Sequence, residues 1–242
     1  MTNRIVQESL LSYRALFTWL NPLGYLSSRI VRPIGLAVTF GALSSHYGGS
    51  IGATLAGASL LAGAHAVIYG MALSVGNERS FGTFDLWMAS PQSKLAAICR
   101  RAAPHVVDGF LGGMVTYLSC CALFGILPMP VHLFAGALLL ALVSSFGYGL
   151  MVSGASMWIK DHFVPPNFAY LTLMVLSGAL VGSDRLPEAL QPVMAFFPLS
   201  DVSDDLLRPD FLADGLGELA VGALWAVAGV LLVLSALRRA RQ

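Results

Sequence analysis

The side chains best suited to chemistry lie in one charged segment, residues 77–101, between two long apolar ranges. Six ionisable residues are concentrated there: Glu78, Arg79, Asp85, Lys94, Arg100 and Arg101. Large apolar side chains are interspersed with them: Phe81, Phe84, Trp87 and Met88. The mixed charges require water, and apolar anchors beside charges are typical of a surface on which another protein docks. The segment therefore predicts a docking site.

Patterns for catalysis or metal binding are missing from the sequence. It has no Gly-x-x-x-x-Gly-Lys-Ser/Thr phosphate loop, no His-Glu-x-x-His pair and no Gly-x-Ser-x-Gly elbow. We therefore expect no catalytic residue, metal or cofactor in this chain and no ATP hydrolysis by it alone. The spacing of Cys99, Cys120 and Cys121 favours packing over a disulfide framework. His65 has no Cys, Asp or Glu nearby, which favours packing, with a polar cavity as the alternative.

Asp108 is the acid that lies within a plausible membrane span, about one helical turn inside its boundary. A charge at that depth needs a partner, and we expect an ion pair with Arg100, Arg101 or His105 in preference to a proton relay. The scarcity of other embedded charges disfavours a proton-driven or sodium-driven carrier.

A second group of charges is acidic and precedes the last apolar range. Its eight carboxylates are Asp184, Glu188, Asp201, Asp204, Asp205, Asp210, Asp214 and Glu218. Blocks of like charge usually stay hydrated, so we expect a solvated outer face, with a cation site as the alternative.

The composition predicts an all-α integral membrane protein. Hydrophobic residues make up 56% of the chain, charged residues make up 11%, and the mean hydropathy is +0.73. Residues 33–77 and 109–159 contain no Asp, Glu, Lys or Arg, and each range exceeds twice the roughly 20 residues that one membrane helix needs. Turn residues at 46–49 divide the first range, and those at 128–130 divide the second. Two later apolar segments follow. We therefore predict six membrane helices in one domain over residues 1–242.

The distribution of basic residues predicts the orientation. Six spans place both termini on one side, where 12 of the 14 basic residues collect: Arg4, Arg14, Arg29, Arg32, Arg79, Lys94, Arg100, Arg101, Lys160, Arg238, Arg239 and Arg241. The positive-inside rule makes that side cytoplasmic. Residues 77–101 then lie in the cytoplasm, and the expected location is the bacterial inner membrane.

Two further segments match neither a span nor a simple loop. Residues 1–22 have helical apolar spacing and predict an amphipathic helix in contact with membrane lipids, whereas a buried helix is the alternative. Residues 184–217 contain an apolar stretch that is too short and too rich in proline to cross. We expect a re-entrant segment there, with Phe196, Phe197 and Pro198 as an outer gate.

The order of these elements resembles the ABC-2 type permease family, the membrane subunits of ATP-binding cassette exporters. The resemblance covers the whole chain. Its most specific part is Glu78, followed by Gly82-Thr83-Phe84-Asp85 and then Ser90-Pro91. The family usually has Leu and Glu where this chain has Phe84 and Asp85, and both changes keep the chemical type. The resemblance implies that this segment is the coupling helix, which sits in a groove of a separate ATPase.

Residues assigned to ATPase coupling are Glu78, Phe81, Gly82, Thr83, Phe84, Asp85, Leu86, Ser90 and Pro91. We expect Phe81, Phe84 and Met88 to form one apolar stripe. Glu78 and Asp85 are seven residues apart and should share a helix face. Ser90 and Pro91 should begin the next helix as its N-cap and first residue. A plain solvated loop is the alternative.

The predicted function is the membrane subunit of an ATP-driven exporter of an amphipathic drug, antibiotic or peptide. The expected partners are an ATPase subunit, which binds ATP and Mg, and a second membrane subunit, identical or homologous, but no nucleic acid. Export of a glycan or lipid-linked glycan is the first alternative. A secondary carrier or a membrane-embedded enzyme is the other.

Overall fold

The computed structural model describes Gln7 and residues 22–182, 185–204 and 215–239. Most of the expected amphipathic helix at residues 1–22 falls outside the described residues, as do Asp184, Asp205, Asp210 and Asp214. The described part is all-helical and contains no strand.

The helices, in chain order, are α1 (Pro22–Leu26), a π-helical segment (Ser27–Val31), α2 (Arg32–His46), α3 (Ile51–Ser80), α4 (Phe84–Ala89), α5 (Lys94–Phe124), α6 (Val131–Ser156), α7 (Val164–Leu176), α8 (Gln191–Met194), α9 (Ser200–Asp204) and α10 (Gly215–Arg239). The first three follow one another without a break, because Leu26, Val31 and Arg32 all have right-handed helical dihedral angles.

Four helices among the described residues are long and apolar enough to cross a membrane: α3, α5, α6 and α10. The predicted membrane architecture is confirmed to that extent. The count of six spans is not, because α2 has 15 residues and α7 has 13. Turns lie where the breakers predicted them. Ser50 caps the start of α3, and Gly125 ends α5 in the left-handed conformation at φ +66°.

Helix α3 forms the centre of the bundle. Of the most apolar stretch of 18 residues in α3, 72% is buried, whereas the same measure for α10 is 28%. Glycines allow the backbones to approach closely, as they do in other membrane helices. Gly63 of α3 faces Gly109 of α5, and Gly147 of α6 lies against the carbonyl of Gly222 in α10. Side chains on the opposite surface of α10 are exposed and suit contact with lipid.

Non-helical backbone follows α7 and is buried within the bundle. Residues 177–180 are all buried, with Gly178 at φ +70°, and the carbonyl of Ala179 packs on Gly57. Irregular backbone is tolerated at membrane depth only where protein or water covers it. The chain then forms the short helices α8 and α9. Met194 of α8 is buried, and Leu199, which directly precedes α9, belongs to the buried core.

Candidate functional site

A tight turn separates α4 from the end of α3. Gly82 has φ +67°, a conformation that side chains with a Cβ rarely adopt. The amide of Thr83 donates to the carbonyl of Glu78 at 2.8 Å, and the amide of Trp87 donates to the carbonyl of Thr83 at 2.8 Å. The turn therefore ends α3, and the new helix α4 begins within a few residues, at Phe84.

Glu78 is held within the protein. Its carboxylate forms an ion pair with Arg101 of α5 at 2.7 Å and accepts a hydrogen bond from the Thr83 hydroxyl at 2.5 Å. The prediction that Glu78 and Asp85 share one helix face is wrong, because the turn at Gly82 places them on separate helices. Glu78 links α3, α4 and α5, whereas Asp85 is exposed.

Trp87 attaches α4 to the bundle. It is 5% exposed, with the guanidinium of Arg101 at 5.5 Å and the ammonium of Lys94 at 5.7 Å from its ring centre. Lys94 also donates to the carbonyl of Ser90 at 2.6 Å and to that of Gln92 at 3.1 Å. Trp87 was not among the predicted coupling residues. Its size and its place within the charged segment were the available signals.

Ser90 ends α4 and does not begin α5. Its ψ of 148° is the extended conformation that a following proline favours. Its hydroxyl donates to the carbonyl of Trp87 at 2.7 Å. The N-cap of α5 is Ser93, whose side chain accepts from the amide of Ala96. The prediction that Ser90 and Pro91 start the next helix is therefore wrong by three residues.

The expected stripe of Phe81, Phe84 and Met88 is divided in the structure. Phe84 and Met88 are half-buried and pack against the core of the bundle. The guanidinium of Arg79 lies 3.9 Å from the centre of the Phe84 ring and also donates to the carbonyl of Met157. Phe81 alone of the three points outward and is 53% exposed.

A set of exposed residues, which we call the α4 face, replaces that stripe: Phe81, Asp85, Leu86, Ala89 and Pro91. Leu86 is 74% exposed, the highest exposure of a large apolar side chain in this segment. The face has one charge, the carboxylate of Asp85, because the neighbouring cations are directed towards the bundle. Its chemistry suits a partner groove with an apolar floor and a basic edge.

The residues proposed as an outer gate lie beside an aromatic cluster. The ring of Phe197 is 6.0 Å from that of Tyr148 and 5.8 Å from that of Trp225, measured between ring centres. The indole of Trp225 donates to the carbonyl of Phe196, whose side chain is 57% exposed. Pro198 is buried. The cluster joins the segment before α9 to α6 and α10.

Glu218 contradicts the expectation that the acidic block is wholly solvated. It is 0% exposed, accepts from the amide of Leu199 at 2.8 Å and accepts from the hydroxyl of Ser144. Leu199 has φ +75°, an uncommon conformation for a residue with a side chain. The sequence places Glu218 at the start of a span, but nothing in it shows that a distant segment covers the carboxyl group.

Asp108 forms an ion pair with Arg29 at 3.2 Å, a partner on the π-helical segment that the sequence did not suggest. Asp108 is therefore paired, as expected. Arg101, which was one of its predicted partners, pairs with Glu78. Within the described residues no group of three or more His, Cys, Asp or Glu could hold a metal ion.

A family model described as ABC-2 type transporter matches residues 7–202 of the 242-residue chain. The chain belongs to the ABC-2 type transporter family. This confirms the resemblance seen in the sequence. Comparisons with curated proteins and with solved structures found no match.

Membership in the ABC-2 family makes this chain a membrane component of an ATP-binding cassette transporter. ABC-2 permeases are transport subunits, and they generally work with an ATPase subunit and another permease. The matched range includes the α4 face and the aromatic residues before α9, whereas Glu218 and the rest of α10 lie beyond it.

Proposed function

We propose that this chain is the membrane subunit of an ATP-driven exporter and that the α4 face docks into a separately encoded ATPase subunit. The observation that carries the proposal is the division of the segment into an inward and an outward side. Glu78, Trp87 and Lys94 bind α4 to the bundle, whereas Leu86 and Asp85 have no such task and are exposed. A solvated loop would need neither arrangement.

The contacts of α4 support a mechanical role. The ion pair between Glu78 and Arg101 joins the end of α3 to α5, and Trp87 packs beneath the same arginine. A force applied to α4 is therefore transmitted to both long helices together. In the proposed cycle the ATPase binds ATP and Mg, closes, and displaces α3 and α5 in each of two membrane subunits. Shifts of this kind alternate the bundle between inward-open and outward-open states.

The proposed topology has six spans, with α4 and both termini in the cytoplasm of a bacterial cell. The unbroken helical segment at residues 22–46 supports a first span, since its 25 residues rise about 37 Å. Helix α7 together with the buried backbone at 177–180 supports the fifth. The excess of basic residues on the α4 side supports the orientation.

The proposed substrate is an amphipathic compound such as a drug, an antibiotic or a peptide. The route lies in an apolar bundle, so a substrate with an apolar part enters from the inner leaflet at little cost. A requirement for an ATPase subunit separates this proposal from a secondary carrier and from a membrane-embedded enzyme.

The experiment that tests the proposal is co-purification of the full chain with co-expressed ATP-binding cassette ATPases from the same organism. We expect Leu86→Asp and Asp85→Lys to reduce recovery of the ATPase, because the first removes an apolar anchor and the second opposes a basic groove edge. The matched control is Glu188→Lys, which makes a like charge change at an exposed site. Full recovery with both α4 variants contradicts the proposal.

A further inference from the structure

We propose that a pocket between α2, α3 and α7 binds the anionic headgroup of an amphiphile, with Arg32 supplying the charge and His65 and Tyr170 supplying its polar wall. The inference rests on the proposed export function and narrows the substrate to amphiphiles that carry a phosphate or a carboxylate.

The pocket is small and has polar side chains from the π-helical segment, α2, α3 and α7. Its polar lining residues are Ser28, Arg32, His65 and Tyr170, and the other residues that line it are apolar. Its volume is about 10 Å³, which is room for about one water molecule. It can take one or two oxygens of a headgroup but not a whole drug-sized molecule.

Exposed apolar side chains lie close in sequence to the residues that line the pocket. Val31 precedes Arg32 and is 60% exposed, and Phe168 and Leu171 of α7 are 69% and 55% exposed. Side chains of this type suit a hydrocarbon chain or surrounding lipid. The arrangement fits a molecule whose charged end enters the pocket while its apolar part stays in the bilayer.

The charge of Arg32 is not balanced by the described residues. Arg29, one turn earlier, is paired with Asp108 at 3.2 Å. The guanidinium of Arg32 contacts the ring of Tyr170, with 5.5 Å between its carbon and the ring centre, and it forms no hydrogen bond or ion pair with a described residue. Arg32 is exposed, so an anion can reach its guanidinium from outside the protein. A bound anion supplies the missing partner.

Arg32 and His65 lie at about the same depth. Helix α2 runs 15 residues from Arg32 to its end at His46, and His65 lies 14 residues after Ile51, the first residue of α3. Both distances correspond to about 21 Å of helix below the same outer turn. In a hydrocarbon core about 30 Å thick, the pocket then lies in the leaflet on the α4 side.

His65 adds a donor that the protein itself leaves unused. Its Nε2 is buried and has no hydrogen-bond partner among the described residues. Its ring centre lies 4.4 Å from that of Tyr170 and 5.0 Å from that of Tyr69. In the tautomer with hydrogen on Nε2, the imidazole donates to an anionic oxygen beside Arg32. Buried polar atoms without partners are rare in proteins and indicate a missing group.

The test measures binding to the full chain in nanodiscs of phosphatidylcholine, with histidine labelled by ¹⁵N. Dodecyl phosphate is titrated, and the shift of the His65 resonance is followed, after its assignment with His65→Gln. We expect a saturable shift. Arg32→Gln should weaken the apparent affinity by about tenfold to a hundredfold, because a charge-assisted hydrogen bond is lost. Arg32→Lys keeps the charge and should recover part of it.

The matched control is Arg239→Gln, because Arg239 also lies over an aromatic ring, 5.1 Å from the centre of Trp158. It should leave the affinity unchanged. Equal losses for Arg32→Gln and Arg239→Gln would show general attraction to the interface and overturn the inference. So would an unchanged His65 resonance, or an equal response to inorganic phosphate, which has no apolar part.

The outcome is separable from that of the ATPase experiment. If dodecyl phosphate does not bind but the α4 variants still lose the ATPase, only the pocket is wrong. If it binds with the expected dependence on Arg32 while Leu86→Asp and Asp85→Lys retain the ATPase, only the docking proposal is wrong.

Discussion

Glu218 should hold the segment before α9 closed against the bundle. Its carboxyl group reaches two elements that are distant in sequence, the amide of Leu199 and the hydroxyl of Ser144 on α6. Replacing Glu218 by alanine removes the acceptor while the segment remains in place. The amide of Leu199, a fully buried residue, is then left without its partner.

The size of the effect follows from that buried donor. An unsatisfied buried hydrogen-bonding group costs about 1–3 kcal/mol. The alanine variant also no longer has to bury the carboxyl group of Glu218, and the free energy saved offsets part of this cost. A net value of about 2 kcal/mol raises the open population of the segment roughly thirtyfold. Glu218→Gln keeps an amide oxygen as acceptor, so we expect a change of less than about fivefold, or 1 kcal/mol.

Hydrogen–deuterium exchange with mass spectrometry measures this opening directly. A peptide spanning residues 195–203 should exchange about thirtyfold faster in Glu218→Ala than in the parent chain, while peptides from α3 should keep their rates. The control is Glu188→Ala, because Glu188 is exposed. Unchanged exchange in Glu218→Ala refutes the reasoning. Equal acceleration in Glu218→Gln refutes the part that depends on the acceptor oxygen.

Three further outcomes follow from packing and topology. Gly147→Ala should lower the midpoint of thermal unfolding in detergent by the equivalent of about 1–3 kcal/mol, because the new Cβ overlaps a carbonyl of α10. The control Gly35→Ala should leave the midpoint unchanged, because the space around Gly35 is open. Equal midpoints for the two variants would contradict this. Trp87→Ala should cost about 3 kcal/mol and also reduce ATPase recovery, whereas substitutions on the α4 face should affect recovery alone. In intact cells from which the outer wall has been removed, Tyr47→Cys should react with an impermeant thiol reagent, because position 47 is 73% exposed. Ser80→Cys should not react. Labelling at position 80 would show that the proposed orientation is the wrong way round.

The sequence by itself determined the all-helical membrane class and the family. Long stretches without charge can be stable only as membrane helices, because each backbone group must be paired within its own segment. That argument is local and needs no tertiary contact. The charged segment and the order of Gly82, Thr83 and Ser90-Pro91 are equally local, and they identified the family that the model match later showed.

Only the tertiary structure decided which side chains of that segment face outward. Helical spacing put Phe81, Phe84 and Met88 on one stripe, but the turn at Gly82 interrupts the helix. Phe84 and Met88 pack inward, whereas Phe81 and Leu86 are exposed. Spacing describes one continuous helix, and here a single left-handed glycine separates two. The direction of a short helix depends on what it packs against, which the order of residues does not state.

The partners of the charged groups were also decided by the fold. Glu78 pairs with Arg101, Asp108 pairs with Arg29, and Glu218 binds the amide of Leu199. In each case the two residues are far apart in the chain or separated by a turn, so neighbours in sequence were poor guides. A charge in low dielectric binds the group that packing brings nearest. The sequence shows that such charges need partners, and the packing of helices selects them.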